Sequence, residues 1–282
     1  MANIRHLDPS ASPLDYYGSE LRRRREAAGL TQEALGGCIF VTGSLVGQIE
    51  TAHKVPTRDF SERVDAALGT DGMFSRLASL VLRSQLPTWF QQYAEMEARA
   101  TYISTYQAQV VYGLLQTPRY AKALLGVDNP RRVDELLAAR MERQRILARS
   151  NPPALLVVLD EALLYRVVDA SEVMREQLLH LLTYADHPWV QIQVLPCSAG
   201  QHSAMMGSFN LLRFEDDPDL FYAEGYDCGR MTANPQVIRE RSFGYARLQA
   251  AALSLEDSAA LIARVVKERY GDQPEPDGRT VA

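Results

Sequence analysis

The chain lacks the long apolar segments that membrane and secreted proteins carry. None of its apolar runs approaches the roughly 20 residues that a membrane-spanning helix needs. The opening segment, MANIRHLDPSASPLDYY, has no apolar core of a secretory signal. These absences predict a cytoplasmic protein that makes no membrane contact.

Cysteine and histidine are scarce and dispersed. The three cysteines are odd in number, widely spaced and in no CxxC pair, and no two histidines stand four residues apart: Cys38, Cys197, Cys228, His6, His53, His180, His187 and His202. A disulfide framework and a zinc site would both need paired spacings. We therefore expect no metal and no cofactor, and we expect the cysteines to be small buried apolar residues.

The chain also lacks an excess of positive charge. Its formal net charge is −5, whereas nucleic-acid binding normally leaves a basic footprint. The first 83 residues, however, hold ten basic and ten acidic side chains, so the acidic excess lies entirely after them. The first part also contains the basic run LRRRRE. Net charge therefore does not exclude DNA binding by the N-terminal part.

Helical patterns and breaks divide the chain into four segments. Residues 1–15 are polar and aperiodic, which is typical of a mobile arm. Residues 16–83 contain five short amphipathic patterns separated by glycine, threonine and proline signals. Residues 84–270 mix helical and strand patterns, and residues 271–282 form a polar tail that we expect to be disordered.

The segment from residue 84 to 270 contains five strand candidates in a largely helical setting. They are TYISTYQAQVV, ALLVVLD, VQIQVLP, SFNLLRF and LFYAEGY. Strands grouped at the centre, with helices before and after them, are typical of an α+β domain. The predicted fold class is mainly α, with a five-helix N-terminal domain and an α+β C-terminal domain that provides dimerisation and senses a ligand or partner.

The second and third predicted helices are joined by a short turn, as in a helix-turn-helix. In the third helix, TGSLVGQIE, Leu45, Val46 and Ile49 fall on one stripe, and small and polar residues lie on the other side. A glutamine on that side can pair bidentately with adenine. Stripes of this kind also arise by chance in any short helical bundle, so spacing alone leaves a purely structural interpretation open.

The candidate DNA-facing residues belong to the two helices and the loop after them. Gln32 is placed to meet the DNA backbone at a helix N-terminus, and Gln48 to read a base. Small residues allow a close approach, and three side chains after the third helix would contact phosphate. The full set is Gln32, Thr42, Gly43, Ser44, Gly47, Gln48, His53, Lys54 and Arg58.

The stretch LRRRREAAGLTQEALGGCIFVTGSLVGQIETAHKVP resembles, without a gap, the Cro/repressor-like (XRE-type) helix-turn-helix domains over about residues 16 to 72. The resemblance implies an ion pair between Arg25 and Glu50 inside the domain. Two positions depart from the pattern. Phe40 stands where the family often has the turn glycine, and Ala52 where a glycine usually closes the recognition helix, so both are candidates for backbone strain.

The segments SLVGQIETA, LGTDGMFSRL, GLLQTPRYA and GQHSAMMGSFNLLRF together resemble the WhiJ-type regulators of actinobacteria, over nearly the whole chain outside the tails. Tyr112 replaces the proline that is common before the GLLQT segment. The resemblance implies a transcriptional repressor with an antitoxin-like C-terminal domain. It also implies a small partner protein encoded by a neighbouring gene.

The loop CSAGQHSAMMG contains residue types used in nucleophilic catalysis: Cys197, Ser198, His202 and Ser203. It has no GxSxG elbow and no motif-placed acid. We favour a structural loop in which His202 bonds to backbone and Met205 and Met206 pack, and we expect no enzyme and no catalytic residue. Candidate ligand or partner contacts are Trp89, Tyr93, Tyr106 and His202, with core packing as the simpler interpretation of the aromatics.

The sequence thus predicts a DNA-binding regulator that binds double-stranded DNA as a homodimer and has a small protein or small-molecule effector. The cytoplasm, at the nucleoid, is its expected location. Two other functions stay open. One is an antitoxin-like interaction protein that mainly sequesters a small partner and regulates its own promoter, and the other is a hydrolase with a regulatory head.

Overall fold

The computed structural model describes residues 7–225 and 228–271. These residues form two compact units. The first holds the chain up to Gln91 together with Asp134–Glu142, and the second holds Gln92–Val133 and the chain from Arg143 onward. The predicted fold class is confirmed: a helical N-terminal region is followed by a C-terminal α+β domain.

Five helices of the N-terminal region match the five predicted patterns. Their bounds are α1 Pro13–Ala27, α2 Gln32–Cys38, α3 Gly43–Glu50, α4 Arg58–Leu68 and α5 Met73–Ser84. They share a core in which the Tyr17 and Phe74 rings meet edge to face at 5.2 Å. The Tyr17 hydroxyl lies 2.8 Å from Ser61 Oγ, so the one polar atom of this buried ring is satisfied.

Side-chain caps set the starts of these helices. Ser12, Thr31, Thr42 and Thr57 each accept a backbone N–H of the first turn of α1 to α4. Because Ser12 caps it and Pro13 fits the first position, α1 begins three residues before the expected start at Tyr16. Residues 13–15 of the predicted arm are therefore helical, while residues 1–6 of that arm and 272–282 of the tail lie outside the described residues.

The N-cap of α5 is Gly72, which has no side chain to donate or accept a bond. Asp65 of α4 supplies the cap by accepting the backbone N–H groups of Phe74 and Ser75 at 2.9 and 2.8 Å. Burial alone would raise the pKa of this carboxyl, but the hydrogen bonds outweigh burial and lower it. The stabilisation is therefore present at neutral pH and is lost as the pH falls through the lowered pKa.

The second unit is built on a mixed sheet. Its described strands are β1 Tyr102–Gln107, β2 Ala154–Asp160, β3 Val190–Leu195, β4 Phe209–Arg213, β5 Leu220–Gly225 and β6 Cys228–Thr232. Their order is β3-β2-β1-β4-β5-β6. β1, β2 and β3 run parallel, and β4, β5 and β6 continue the sheet antiparallel. The first five strands match the five predicted segments, and β6 was not predicted.

Helices connect and flank these strands. They are α6 Thr88–Arg99, α7 Pro118–Asp128, α8 Val133–Gln144, α9 Ala162–Tyr165, α10 Ser171–Leu182, α11 Pro235–Ala251 and α12 Leu255–Arg269. One face of the sheet forms a core with α11 through Tyr106, Phe209, Phe221, Tyr245 and Leu248. α6 and α8 each carry residues of both compact units. No helix within residues 7–225 and 228–271 has the length and apolar character to cross a membrane.

Candidate nucleic-acid interface

The inner faces of α2 and α3 hold the helix-turn-helix together. Four apolar residues are buried between the two helices: Leu35 of α2, Ile39 at the end of α2, and Val46 and Ile49 of α3. The spacing of these residues predicted this inner face, because positions three and four apart share one side of a helix. α3 is thereby fixed against α2, and its opposite side is free of the core.

The opposite side of α3 is polar and exposed. Ser44 and Gln48 are one turn apart and both are exposed. Thr42 is exposed as well, and its Oγ1 accepts the backbone N–H of Leu45 at 3.2 Å, so this hydroxyl caps α3. The geometry suits base-edge contact by Gln48, and the DNA roles of these residues stay predictions.

A buried ion pair ties the end of α3 to α1. Arg25 Nε donates to Glu50 Oε1 at 2.5 Å and Arg25 Nη2 donates to Glu50 Oε2 at 3.0 Å. A third bond from Arg25 Nη1 reaches the Leu30 carbonyl at 2.8 Å. The hydrogen bond to Glu50 raises the pKa of Arg25. The pair implied by the family resemblance is therefore formed and bidentate.

Gln32 belongs to this buried group. Its Nε2 donates to Glu50 Oε2 at 2.7 Å, so one of its two N–H donors is used inside the protein. The amide is half-buried, and its contact with the DNA backbone stays a prediction. Sequence spacing gave no sign of this bond, since the two residues are 18 positions apart.

The two glycines of α3 differ in what a side chain at their position would contact. A Cβ on Gly43 would lie 2.8 to 2.9 Å from Glu33 Cγ, Cα and N, so Gly43 allows α2 and α3 to approach closely. The interpretation of Gly43 as part of the outer face therefore needs correction, because its missing side chain points at α2. A Cβ on Gly47 would meet only the flexible end of Gln32, at 2.9 Å.

The basic side chains differ in how free they are to meet phosphate. His53 and Lys54 are exposed after α3, and His53 Nδ1 lies 2.9 Å from Thr51 Oγ1. Arg58 Nε donates to Glu62 Oε1 at 2.8 Å, and this bond raises the pKa of the arginine. Arg58 is thus engaged by a carboxylate, and the phosphate contacts of His53, Lys54 and Arg58 stay predictions.

Most arginines of the run LRRRRE form ion pairs with carboxylates of the same chain. Arg23 Nε and Arg24 Nε donate to the Glu20 carboxylate at 2.7 and 2.8 Å, and the hydrogen bond from Arg23 lowers the pKa of Glu20. Arg25 is buried on Glu50. The run is therefore mainly a source of intramolecular ion pairs.

Two non-glycine residues of the helix-turn-helix adopt the left-handed conformation. Phe40, in the turn between α2 and α3, has φ 58°, and Ala52, just after α3, has φ 55°. These are the two positions where the related domains favour glycine. An L-residue in this region is strained by about 1–2 kcal/mol. The Phe40 side chain is also 85% exposed, so it contributes little burial in return.

We expect Phe40→Gly to stabilise the first unit by about 1 kcal/mol, because the relief of strain exceeds the added chain entropy of glycine. The check is urea unfolding followed by the fluorescence of Trp89, in a Trp189→Phe background where it is the one remaining tryptophan. Phe40→Ala is the matched control, since it removes the ring but keeps the strain. An equal gain from Phe40→Ala would assign the effect to the exposed ring instead.

Comparison with protein families gives two matches. Residues 17–73 match a family described as a helix-turn-helix domain. Residues 90–264 match a domain of unknown function, DUF5753, and this match covers more than half of the chain. The chain belongs to the DUF5753 family. Searches of curated proteins and of solved structures returned no match. The helix-turn-helix match supports a DNA-binding regulator.

The DUF5753 region, residues 90–264, contains a buried polar cluster centred on Glu97. Tyr93 and Tyr112 both donate to Glu97 Oε1, at 2.9 and 2.5 Å, and Arg143 Nε lies 2.8 Å from Glu97 Oε2. The Tyr93 ring also stacks on Tyr222 at 4.0 Å. Tyr93 is thus a core residue, and its interpretation as a ligand or partner contact is corrected by its burial.

Electrostatics keep this cluster in one protonation state. Burial, followed by the Glu97 charge, raises the pKa of Tyr93 and of Tyr112 well above the ordinary value. Burial, the largest single influence, would lower the pKa of Arg143, but the charge of Glu97 together with Tyr112, Tyr93 and Glu224 outweighs it and raises this pKa. Both phenols therefore stay donors and the arginine stays charged. The burial of Glu97 and Arg143 was not predicted from the sequence, because single charges in a helical pattern look like solvated residues.

The other candidate contacts of the C-terminal part do not form one group. Tyr106 and His202 meet, with Tyr106 Oη 3.5 Å from His202 Nε2, and Tyr106 Oη donates to Asp160 Oδ2 at 2.9 Å. Burial and this bond raise the pKa of Tyr106. His202 Nδ1 accepts the Ala204 N–H at 3.2 Å, as expected of a histidine bonded to backbone. Trp89 belongs to the first unit and contacts Phe90.

Cys197 and Ser203, two residues of catalytic type in the loop from Cys197 to Gly207, have contacts outside the loop. Ser203 Oγ donates to the Gly244 carbonyl at 2.9 Å. Burial and the nearby Glu161 and Asp160 carboxylates raise the pKa of the Cys197 thiol, which disfavours the reactive thiolate. Within the described ranges, no three His, Cys, Asp or Glu side chains are grouped as a metal site needs.

Two expectations about apolar packing were wrong. Met205 and Met206 are exposed, Met206 by 98%, because they lie at the tip of the loop beyond the point where Ser203 contacts α11. Cys38, Cys197 and Cys228 are also exposed. They stand at a helix end, in a loop after β3 and at the start of edge strand β6, which residue type alone does not reveal.

Proposed function

We propose that this chain is a sequence-specific transcriptional repressor that binds a palindromic operator as a homodimer. The observation that carries the proposal is the exposed polar face of α3, with Ser44 and Gln48 presented by a helix whose other side is locked in the core. In a helix-turn-helix, this face enters the major groove. Because one such domain contacts one half-site, two copies are needed for tight binding.

The proposal includes control of DNA binding through the C-terminal domain, by a small partner protein or a small-molecule effector. A ligand acts in this way only if it binds the DNA-competent and the DNA-incompetent states with different affinity. We further propose that the chain is a WhiJ-type regulator, that it acts at the nucleoid in the cytoplasm, and that it is not an enzyme.

A binding selection from random duplex DNA, made with the parent protein and with Gln48→Ala, tests the proposal. We expect a palindromic motif with the parent and a blurred one with the variant. Gln48→Ala should weaken binding to the selected site by about 1–3 kcal/mol, because a bidentate base contact is lost. Titrations of the selected duplex and a scrambled duplex measure this difference.

Lys54→Ala is the matched control for this prediction. It removes a phosphate contact, so it should weaken selected and scrambled DNA alike and reduce the salt slope by about 1. Equal losses on the two duplexes for Gln48→Ala would show that Gln48 does not read bases. No enriched motif with the parent would count against sequence-specific binding.

An antitoxin-like interaction protein is the second candidate. It is favoured by the exposed Met205 and Met206, which lie on a loop that contacts Gly244 of α11 through Ser203. Phe243, the neighbour of Gly244 in the chain, is also exposed. Exposed apolar surface of this kind marks protein interaction sites. Co-purification with the product of a neighbouring gene, at a fixed ratio and lost when both methionines are replaced by serine, would support this candidate.

A further inference from the structure

Arg58, the first residue of α4, is surrounded by acceptors. Its Nε donates to Glu62 Oε1 at 2.8 Å, and its Nη1 lies 3.1 Å from Ser79 Oγ and 3.2 Å from Glu142 Oε1. The Arg58 side chain is 30% exposed, so the guanidinium stands at the protein surface. Two carboxylates thus neutralise a cation that lies four residues after Lys54.

The position of Arg58 is one where phosphate contacts are expected. α4 begins directly after the loop that follows α3, and its N-terminal backbone N–H groups favour an anion. A phosphate that approached Arg58 in the present arrangement would also approach Glu142 and Glu62. Like-charge repulsion would then offset the attraction of the guanidinium.

Glu142 reaches Arg58 from a distant part of the sequence. It lies on α8 within Asp134–Glu142, a segment that packs in the first unit although it falls inside the DUF5753 match. Ser79 Oγ donates to Glu142 Oε1 at 2.7 Å, which fixes the carboxylate between α5 and Arg58. Its side chain is only 14% exposed, so this contact is less screened by water than a surface ion pair.

The next residue of α8 is anchored in the other unit. Arg143 Nε lies 2.8 Å from the buried Glu97 carboxylate. One continuous helix therefore carries the carboxylate that holds Arg58 and the arginine that is fixed in the DUF5753 core. A displacement of α8 would withdraw Glu142 from Arg58.

We propose that Glu142 is a latch that restrains DNA binding by holding Arg58 away from phosphate. Withdrawal of Glu142 removes one of the two carboxylates at the guanidinium, while Glu62 stays on Nε, and makes the Nη side available for one more phosphate contact, so the DUF5753 region sets DNA affinity through α8. This inference rests on the proposed function, because it assigns the regulation of the same DNA-binding face.

The test is a double-mutant cycle with four proteins: the parent, Glu142→Gln, Arg58→Ala and the double variant. Each is titrated by fluorescence anisotropy into a short random-sequence duplex over a range of salt concentrations. We expect Glu142→Gln to bind about threefold to tenfold more tightly and its salt slope to steepen by about 0.9, the value for one added phosphate contact. In the Arg58→Ala background, Glu142→Gln should change nothing.

Glutamine keeps the size of Glu142 and an oxygen that accepts the Ser79 hydroxyl, so the fold should persist, and thermal unfolding of each variant checks it. Unchanged binding by a folded Glu142→Gln protein would overturn the proposed role of Glu142 and leave the proposed DNA binding intact. A gain that persists without Arg58 would also overturn it, since that result reflects only the loss of a negative charge. No binding of any duplex by all four proteins would instead overturn the proposed function, and the latch with it.

Discussion

Replacing Arg25 with methionine is expected to lower the free energy of unfolding of the first unit by about 3–5 kcal/mol, because the charge of Glu50 would remain buried without its partner. Glu50 is fully buried, and Arg25 supplies two hydrogen bonds to it. Methionine fills much of the same volume, so the loss reports on charge more than on packing. Urea unfolding followed by Trp89 fluorescence in a Trp189→Phe background measures it.

Arg24→Met is the matched control for the Arg25 prediction. Arg24 lies on the same helix and pairs with Glu20, but its side chain is 43% exposed, so its loss should cost less than about 1 kcal/mol. Adding Glu50→Met to Arg25→Met should recover part of the loss, because no charge is then buried alone. A small loss for Arg25→Met would contradict the prediction and indicate that Arg22, 3.8 Å from Glu50, takes over.

The same ion pair matters for function because it fixes the end of α3. Glu50 is the last residue of that helix and also accepts from Gln32 at the start of α2. One carboxylate thus joins α1, α2 and α3. We expect Arg25→Met to weaken DNA binding through the orientation of Gln48, even though Arg25 itself is buried away from solvent.

Local sequence patterns predicted most of the fold. Spacing reveals features that depend on neighbours within one or two turns. These include the caps at Thr31 and Thr42 and the buried positions Val46 and Ile49. The strand ALLVVLD was found with the same bounds, since a continuous apolar run suits a strand buried on both faces. Strand β6, CGRMT, has no such pattern, because it is set by pairing with β5.

The parts of the site that could not be predicted depend on distant contacts. Glu142 is 84 positions from Arg58, and Gln32 is 18 from Glu50. Similarly, an aromatic-rich helix does not tell which ring faces a pocket and which faces the core, and Tyr93 proved to be buried. The strain at Phe40 was the exception, because the resemblance to the Cro/repressor-like domains implied a glycine at this position.

Glu97→Gln is expected to destabilise the second unit by about 3–5 kcal/mol, since it removes the negative member of a buried ion pair. Glu97 is fully buried and joins α6 to α8 through Arg143. The phenols of Tyr93 and Tyr112 can still donate to the amide oxygen, so the loss should come mainly from the charge of Arg143. Trp189 fluorescence in a Trp89→Phe background follows the unfolding of this unit.

Glu95→Gln is the matched control for Glu97→Gln, because Glu95 lies on the same helix with its side chain exposed. The control should change stability by less than about 0.5 kcal/mol. Combining Glu97→Gln with Arg143→Met should restore part of the loss, because both charges then leave the core. If Glu97→Gln and Glu95→Gln cost the same, the cluster does not stabilise the unit.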